Sequence, residues 1–497
     1  MSVILNEIRR GTYLDSVALM RISRQVAALP GVEEAGMMIG TPANRQILRD
    51  AGVLNADGET AGPGDLILAI RASSDAEAET ALAKAKELLD APRPASSGGS
   101  KWQPRSINAA VRDVPDANLA LISVPGDFAV AEARKALRAG LNVMMFSDNV
   151  PIADEVALKQ EARDAGLLVM GPDCGTAIIG GAPLAFSNVV RAGDIGLIGA
   201  SGTGLQEVTC LIDRAGRGIT HAIGTGGRDL KADVGGITTL MAFDLLDADP
   251  ATRHIVLVSK PPAADVARRV LDRVAKSSKP VTVCFLGGDG LAMPANAKFA
   301  ATLEAAAHLA TGATPSAQLP ELPPASARNA GRFVRGLFCG GTLCAEAQIV
   351  FRQNDADVRS NIPVPGAKQL EPGSNGGHIL IDLGDDEYTR GRPHPMIAPA
   401  VRDAPLAEAL ADPQVGVVLL DIVLGYGGHL DPAGHLAGAL DNRAPNGPLI
   451  IASVTGTDAD PQNAKQQIET LKATGVLVAA SNAAAARLAL AAVQSRR

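Results

Sequence analysis

Short apolar runs alternate with helix-forming stretches along most of this 497-residue chain. Apolar runs at 119–124, 142–146 and 167–170 are each separated from the next by a stretch rich in Ala, Glu, Lys and Arg. Runs that are apolar throughout and alternate with helices are typical of strands in a parallel sheet covered on both faces. The pattern therefore predicts consecutive βαβ units.

The same alternation continues through two later segments that share one plan. Strands are predicted in the first at 195–198, 221–223, 254–259 and 281–285. Strands are predicted in the second at 335–338, 379–382, 417–422, 449–453 and 477–479. In both segments the first strand runs through a glycine turn into a helix, which indicates an internal repeat.

The two glycine turns are the most informative functional signal. Their residues are Ser201, Gly202, Thr203 and Gly204 in one, and Gly340, Gly341 and Thr342 in the other. Glycines let an anion approach the backbone, and the N–H groups and dipole of a helix start favour negative charge. Each turn is a candidate anion site, with a tight turn that holds no ligand as the alternative.

The first ninety residues follow a different plan. Predicted strands at Val3–Glu7, Val32–Ile39 and Leu66–Ile70 alternate with helical stretches around 16–28 and 76–89. This pattern favours a small ferredoxin-like or ACT-like α+β domain. Two aperiodic segments rich in Pro, Ser, Gly and Ala are predicted linkers, and they span 91–101 and 311–330.

Composition narrows the class of protein. The chain is 46% hydrophobic, carries a formal charge of −7, has only 3% aromatic residues and contains no basic run. Nucleic-acid binding needs basic patches and stacking rings, so we expect small-molecule or protein partners instead. The longest apolar runs are too short to span a bilayer. The five cysteines are scattered and form no CxxC pair, which predicts reduced thiols, no metal site and a cytoplasmic location.

Several motifs resemble those of a known family. The segment from about 119 to 230 resembles the α subunit of succinyl-CoA synthetase through SVPGDF (123–128), NVP (149–151), MGPDCGT (170–176) and ASGTG (200–204). The third part resembles the carboxyl-terminal domain of the β subunit through CGGTL, the IDLGD loop and the glycine turn before His429. One chain that joins both halves and carries GRPHPM (391–396) resembles the FdrA family.

The resemblance implies an α/β fold with four parts. These are an ACT/ferredoxin-like domain at 1–90, a Rossmann-like CoA-binding-type domain at 102–192, and flavodoxin-like ligase domains at 193–310 and 331–497. It also implies that two helix starts face each other across one phosphate. One start is the turn at 201–204, and its partner is either the turn at 340–342 or the later turn that contains Gly427 and Gly428.

The chain departs from the synthetase pattern in three ways. The glycine loop after the strand at 281–285, which carries a phosphate-relay histidine in synthetases, contains no histidine at 286–299. The amino-terminal glycine loop that holds CoA is not recognisable, and the ATP-grasp region is absent. No GxxxxGK[ST] loop replaces that region.

These departures leave three hypotheses for function. The first, implied by the FdrA resemblance, is phosphate-dependent acyl or carbamoyl transfer, in which oxalurate and inorganic phosphate give oxamate and carbamoyl phosphate. The second is an ATP- and CoA-dependent acyl-CoA synthetase that works with companion subunits. The third is a non-catalytic sensing or scaffold subunit. Companion subunits or a homo-oligomer are expected, and CoA is a less certain ligand than phosphate.

Further candidate residues lie in loops bounded by glycine or proline. His394 and His429 are candidate bases or phosphate ligands, and Cys174 is a candidate nucleophile, although each also fits a structural role. Arg390 and Arg392 could hold a substrate carboxylate as a bidentate pair. The family motifs add Pro125 and Asp173 as candidate substrate-binding residues.

Overall fold

The structure is a computed structural model that describes residues 2–12, 14, 16–91, 104–314, 319–324, 329–389, 393–441 and 443–494. Most of the first predicted linker and parts of the second lie outside these ranges. The chain forms two compact units, one of residues 1–154 with 386–393 and the other of residues 155–385 with 394–497.

The first unit begins with an antiparallel sheet. Its helices and strands are β1 Val3–Arg9, α1 Ser16–Ala27, β2 Val32–Ile39, α2 Pro42–Asp50, β3 Leu66–Ala72, α3 Asp75–Asp90, α4 Ile107–Asp113, β4 Leu119–Ile122, α5 Gly126–Arg138 and β5 Asn142–Met145. The strand order is β1-β3-β2. The central strand β3 is covered on both faces, which explains its continuous apolar sequence. Strands β4 and β5 form a separate parallel pair.

The middle of the chain forms a seven-stranded sheet. The elements of this part of the chain are α6 Ile152–Asp164, β6 Val169–Met170, β7 Thr176–Ile179, β8 Ala182–Ala185, β9 Ala192–Ala200, α7 Gly202–Arg214, β10 Ile219–Gly224, α8 Ile237–Ala248, β11 His254–Ser259, α9 Ala264–Val274, β12 Val281–Phe285, β13 Ala297–Phe299 and α10 Leu303–Thr311. All of these strands except β6 belong to the seven-stranded sheet. The order is β13-β12-β11-β9-β10-β7-β8. The first five strands are parallel, and the β7–β8 hairpin is antiparallel.

The last part forms a second seven-stranded sheet. Its elements are β14 Phe333–Phe338, α11 Gly341–Gln353, β15 Val358–Ser360, β16 Lys368–Gln369, β17 His378–Asp382, α12 Asp386–Thr389, α13 Asp403–Ala411, β18 Val415–Val423, α14 Pro432–Leu440, β19 Leu449–Thr455, α15 Ala464–Ala473, β20 Leu477–Ala479 and α16 Asn482–Gln494. The order is β16-β15-β17-β14-β18-β19-β20, and every pair is parallel.

The two large sheets share one topology. The run β13-β12-β11-β9-β10 in the first corresponds to β20-β19-β18-β14-β17 in the second. Helix α7 follows β9, the middle strand of the first seven-stranded sheet, and α11 follows β14, the middle strand of the second. Leu205 and Val208 of α7 belong to the same hydrophobic core as Leu343 and Ala347 of α11. The internal repeat is therefore present in the fold, and its two copies share one core.

Candidate functional site

The starts of α7 and α11 meet. The hydroxyl oxygens of Ser201 and Thr342 are hydrogen-bonded at 2.6 Å. Ser201 is the N-cap of α7, and its Oγ also accepts a hydrogen bond from the Gly204 N–H at 3.0 Å. The two glycine turns singled out by the sequence thus lie together, and their role in binding phosphate stays a prediction.

Two positions at these helix starts leave no room for a side chain and therefore require glycine. A Cβ at Gly204 would lie 2.5 Å from Ser201 Oγ and 3.0 Å from Thr342 Cγ2. A Cβ at Gly341 would lie 2.3 Å from the Oδ2 atom of Asp382. The first N–H groups of any helix have no partner within that helix. Two helix starts this close can therefore direct several N–H donors at one small anion.

Asp421 holds the turn before α11 in place. Its carboxylate accepts hydrogen bonds from the N–H groups of Cys339 at 2.8 Å and Gly340 at 2.7 Å. The guanidinium of Arg402 pairs with the same carboxylate at 2.7 Å, and both side chains are buried. Because Asp421 already uses these two N–H groups, an incoming anion would bind the N–H groups that follow, from Gly341 onward.

Lys260 and Asp382 lie at the same helix start. Lys260 follows β11, and its Nζ lies 4.0 Å from Asp382 Oδ2. The Oδ1 atom of Asp382 accepts the Gly384 N–H at 3.0 Å. Burial raises the pKa of the Asp382 carboxyl to about 6, although the Lys260 ammonium opposes that shift. The site therefore combines one cation with a carboxyl group that titrates below neutral pH.

His394 lies at the edge of this site. A Cβ at Gly384 would be 2.6 Å from His394 Nε2. Its Nδ1 accepts the Met396 N–H at 3.2 Å, so the neutral ring carries its proton on Nε2. Burial lowers the pKa of His394 to about 4. The imidazole is consequently neutral near pH 7 and presents a donor next to Gly384.

The turn at 425–428 is placed differently. A Cβ at Gly427 would be 2.7 Å from the ring of Phe186, and a Cβ at Gly428 would be 3.4 Å from the Gly425 carbonyl. The His429 N–H donates to the Met396 carbonyl at 2.8 Å, and its Nδ1 accepts the Asp431 N–H at 3.1 Å. Of the two partners left open for the 201–204 turn, the turn at 340–342 is the one in hydrogen-bond contact with Ser201.

Cys174, Asp173 and Pro125 are further candidate residues that the structure describes. Cys174 is buried, its thiol contacts the Thr176 carbonyl at 3.6 Å, and burial raises its pKa to about 12, which favours packing over a nucleophilic role. Asp173 has a left-handed backbone, with φ of 54°. Pro125 precedes α5 in the other compact unit. Arg390 and Arg392 lie outside the described residues.

Two buried glutamates occupy equivalent positions of the repeat. Glu207 on α7 accepts hydrogen bonds from Thr455 Oγ1 at 2.5 Å and the Asn482 N–H at 3.1 Å. Glu346 on α11 accepts them from Asn482 Nδ2 at 2.7 Å and the Leu303 N–H at 2.6 Å. Asn482 thus joins both helices. Burial raises the pKa of both carboxyl groups, and that of Glu346 reaches about 8.

This pKa predicts a pH-dependent stability. The unfolded chain releases the Glu346 proton near pH 4.5, whereas the folded chain keeps it until about pH 8. The free energy of unfolding is therefore expected to fall as pH rises through this window. Urea denaturation at several pH values should show a smaller fall in Glu346→Gln than in wild type. Glu469→Gln, on the exposed face of α15, should leave the fall unchanged, and an equal fall in all three proteins would contradict the assignment.

A second buried network lies away from the helix starts. The Lys159 ammonium contacts Glu155 Oε1 at 2.9 Å, Asp229 Oδ1 at 2.8 Å and the Thr225 carbonyl at 3.0 Å. The side chains of Lys159, Glu155 and Asp229 are fully buried. Asp229 also accepts the Thr239 N–H at 2.9 Å, close to the start of α8. The network fixes the loop that follows β10.

Three residues at or near the paired helix starts were not among the candidates from the sequence, namely Lys260, Asp382 and Asn482. Lys260 stands in the SKPP motif after β11 and Asp382 in the IDLGD loop, so both motifs were visible, but their proximity depends on how the two sheets dock. Asn482 stands in no sequence motif that points to a functional role.

Within the described ranges, no group of three His, Cys, Asp or Glu side chains is arranged to hold a metal ion. None of the helices there has the length and apolarity needed to cross a bilayer.

Three family models match parts of the chain. A CoA-ligase model matches residues 337–492, and a CoA-binding-domain model matches residues 190–287. A model described as AllF, heavy metal-associated domain, matches residues 1–105, a range that contains no cysteine. Together with the mixed α/β fold and its parallel sheets, these matches define a protein of the succinyl-CoA synthetase-like class.

A full-length relative identifies the family. The uncharacterised protein YahF of Escherichia coli K12 is 43% identical over 494 residues, which are 96% of this chain and 96% of YahF. The chain belongs to the same family as YahF.

More distant relatives are subunits of CoA ligases. The sulfoacetate-CoA ligase subunit SauD of Bilophila wadsworthia is 27% identical over 191 residues, which cover 37% of this chain and 63% of SauD. The alignment with an acetyl-coenzyme A synthetase of Ca. Korarchaeum cryptofilum covers 78% of this chain and 84% of that one at 17% identity. Its TM-score of 0.31 does not establish a shared overall arrangement.

Proposed function

We propose that this chain is the CoA-ligating part of an acid–thiol ligase of the acyl-CoA synthetase type, and that a companion subunit supplies the nucleotide site. The observation that carries the proposal is the contact between Ser201 and Thr342, which brings two helix starts together. The proposal assigns these two helix starts the role of a cradle for phosphate. The CoA-ligase and CoA-binding matches, together with the ligase-subunit relatives, support it. They favour the second hypothesis from the sequence over carbamoyl transfer. Membership of the FdrA family and a cytoplasmic location remain predictions.

The chemistry assigned to the cradle is a reversible acyl transfer. The CoA thiolate attacks the carbonyl carbon of an acyl phosphate, the carbon–sulfur bond forms, and the carbon–oxygen bond to phosphate breaks. The phosphate that leaves gains negative charge, which the N–H groups of α7 and α11 and the Lys260 ammonium would stabilise. In the reverse direction, phosphate held between the helix starts attacks the thioester.

The reverse direction offers a test that needs no nucleotide subunit. Arsenate can replace phosphate in the attack, and the acyl arsenate then hydrolyses, so the chain alone should release free CoA thiol from an acyl-CoA in the presence of arsenate. Acetyl-, succinyl- and sulfoacetyl-CoA can be compared with a thiol-reactive dye. We expect arsenate-dependent release from at least one thioester, because the acyl-transfer half of the reaction lies in this chain.

The forward reaction and the competing hypotheses form the second part of the test. The chain is incubated with the products of neighbouring genes, ATP, CoA and dicarboxylic or sulfonated acids, and thioester and ADP are measured. Carbamoyl phosphate formed from oxalurate and phosphate, with no thioester chemistry, would replace the ligase proposal by carbamoyl transfer. If no product forms in any combination and arsenate releases no thiol, the scaffold hypothesis is favoured.

A further inference from the structure

The carboxyl group of Asp382 lies where an anion on α11 would be bound. It is buried, and its Oδ2 atom is so close to Gly341 that a Cβ there would approach it to 2.3 Å. A bound oxyanion would therefore face a carboxylate at the same helix start. Two negative charges in a buried site oppose each other strongly, and one of them must be neutralised.

The groups around Asp382 offset only part of the repulsion between its carboxylate and a bound anion. The charged groups that face it are Lys260 after β11, Asp385 in its own loop and Asp421 on β18. Asp421 is already paired with Arg402. Lys260 lies 4.0 Å away, and its side chain is 42% exposed, so its attraction is weakened by solvent. Asn361 and His394, the polar neighbours on other segments, carry no charge near neutral pH.

We propose that Asp382 takes up a proton when an oxyanion binds at the start of α11, so that anion binding and release at this site are coupled to proton uptake and release. The inference rests on the proposed function, because it assigns this helix start as the anion site. With Asp382 protonated, the Lys260 ammonium is available to the anion, and the carboxyl O–H becomes a further donor. When the anion leaves, the proton leaves with it.

The effect of burial and of nearby charge on the pKa of a carboxyl group supports this coupling. Burial already places the pKa of Asp382 at about 6, so the carboxyl group is mostly ionised near neutral pH. A nearby anion raises that pKa further, because like charges disfavour ionisation. The site should therefore gain a proton on binding, and anion affinity should fall as pH rises above neutrality.

Sulfate is a suitable probe, because its charge does not change near neutral pH and all proton exchange then belongs to the protein. The full chain is titrated with sulfate by calorimetry in two buffers of equal pH and different ionisation enthalpy. We expect wild type to take up a sizeable fraction of one proton per sulfate. Asp382→Asn should bind sulfate without proton uptake, and its affinity should exceed that of wild type at mildly alkaline pH. Asp385→Asn, which changes a neighbouring acid, should retain the uptake.

The outcomes separate this inference from the ligase proposal. Sulfate binding by wild type without proton uptake, or equal uptake in Asp382→Asn, would overturn the coupling and leave the ligase assays unaffected. Absence of sulfate binding in wild type would overturn it as well. Proton-coupled sulfate binding without arsenolysis or thioester formation would support the coupling and contradict the ligase proposal. Thermal unfolding of each variant shows whether a lost signal reflects lost folding.

Discussion

Replacing Gly341 by Val is expected to weaken oxyanion binding by at least about tenfold, or roughly 1.4 kcal/mol, and to abolish arsenolysis. The first side-chain carbon alone would lie 2.3 Å from Asp382 Oδ2 and 3.0 Å from Lys260 Nζ. It would occupy the place where an anion must approach the backbone of α11. Sulfate titration and thiol release measure the two effects.

A matched substitution distinguishes this blockage from general damage to a helix. Gly438 lies in α14, where an added Cβ would meet no other atom within 4 Å. Gly438→Val should keep sulfate affinity and arsenolysis near the wild-type level. Wild-type sulfate affinity in Gly341→Val, or an equal loss in both variants, would argue against an anion site at this turn.

Replacing Lys159 by Met is expected to lower the free energy of unfolding by about 3–5 kcal/mol, because it removes the buried ammonium that two buried carboxylates share. Glu155 and Asp229 are fully buried beside the ammonium. The Arg228 guanidinium lies 2.9 Å from the other carboxylate oxygen of Glu155, Oε2. Asp229 loses the ammonium that lies 2.8 Å from its Oδ1 atom. Urea denaturation measures the change, and Met keeps the length of the side chain.

The control is the same substitution in an exposed ion pair. Lys135 on α5 contacts Glu132 at 2.6 Å, and its side chain is 55% exposed. Solvent screens such pairs, so Lys135→Met should change the free energy of unfolding by less than about 1 kcal/mol. Equal effects of the two substitutions would show that the Lys159 network does not carry the stability assigned to it.

Much of the fold was predictable, because buried parallel strands leave continuous apolar runs. The strands β11, β12 and β20 begin and end at the predicted residues. The β7–β8 hairpin was not predicted, since two four-residue strands of small and mixed residues give no clear alternation. The short strands β15 and β16 were missed for the same reason, because pairing with neighbours defines them more than their own sequence does.

The candidate site was predictable only in part. Glycine turns at 201–204 and 340–342 indicate helix starts locally, and the resemblance to succinyl-CoA synthetases implied that two helix starts face one phosphate. The choice between the turns at 340–342 and 425–428 required the docking of two sheets. The proximity of Lys260 to Asp382 also required it, because these residues come from the two copies of the repeat. Burial of Cys174, which disfavours it as a nucleophile, depends on the tertiary fold as well.

The central claim is that the starts of α7 and α11 hold one oxyanion between them. A crystal of the full chain soaked in tungstate tests it most directly, because the tungsten atom is located by anomalous scattering. The account predicts a single strong peak beside the hydrogen-bonded hydroxyls of Ser201 and Thr342, within hydrogen-bond reach of N–H groups from both helices. No peak there, with tungstate bound only at other sites, would contradict it.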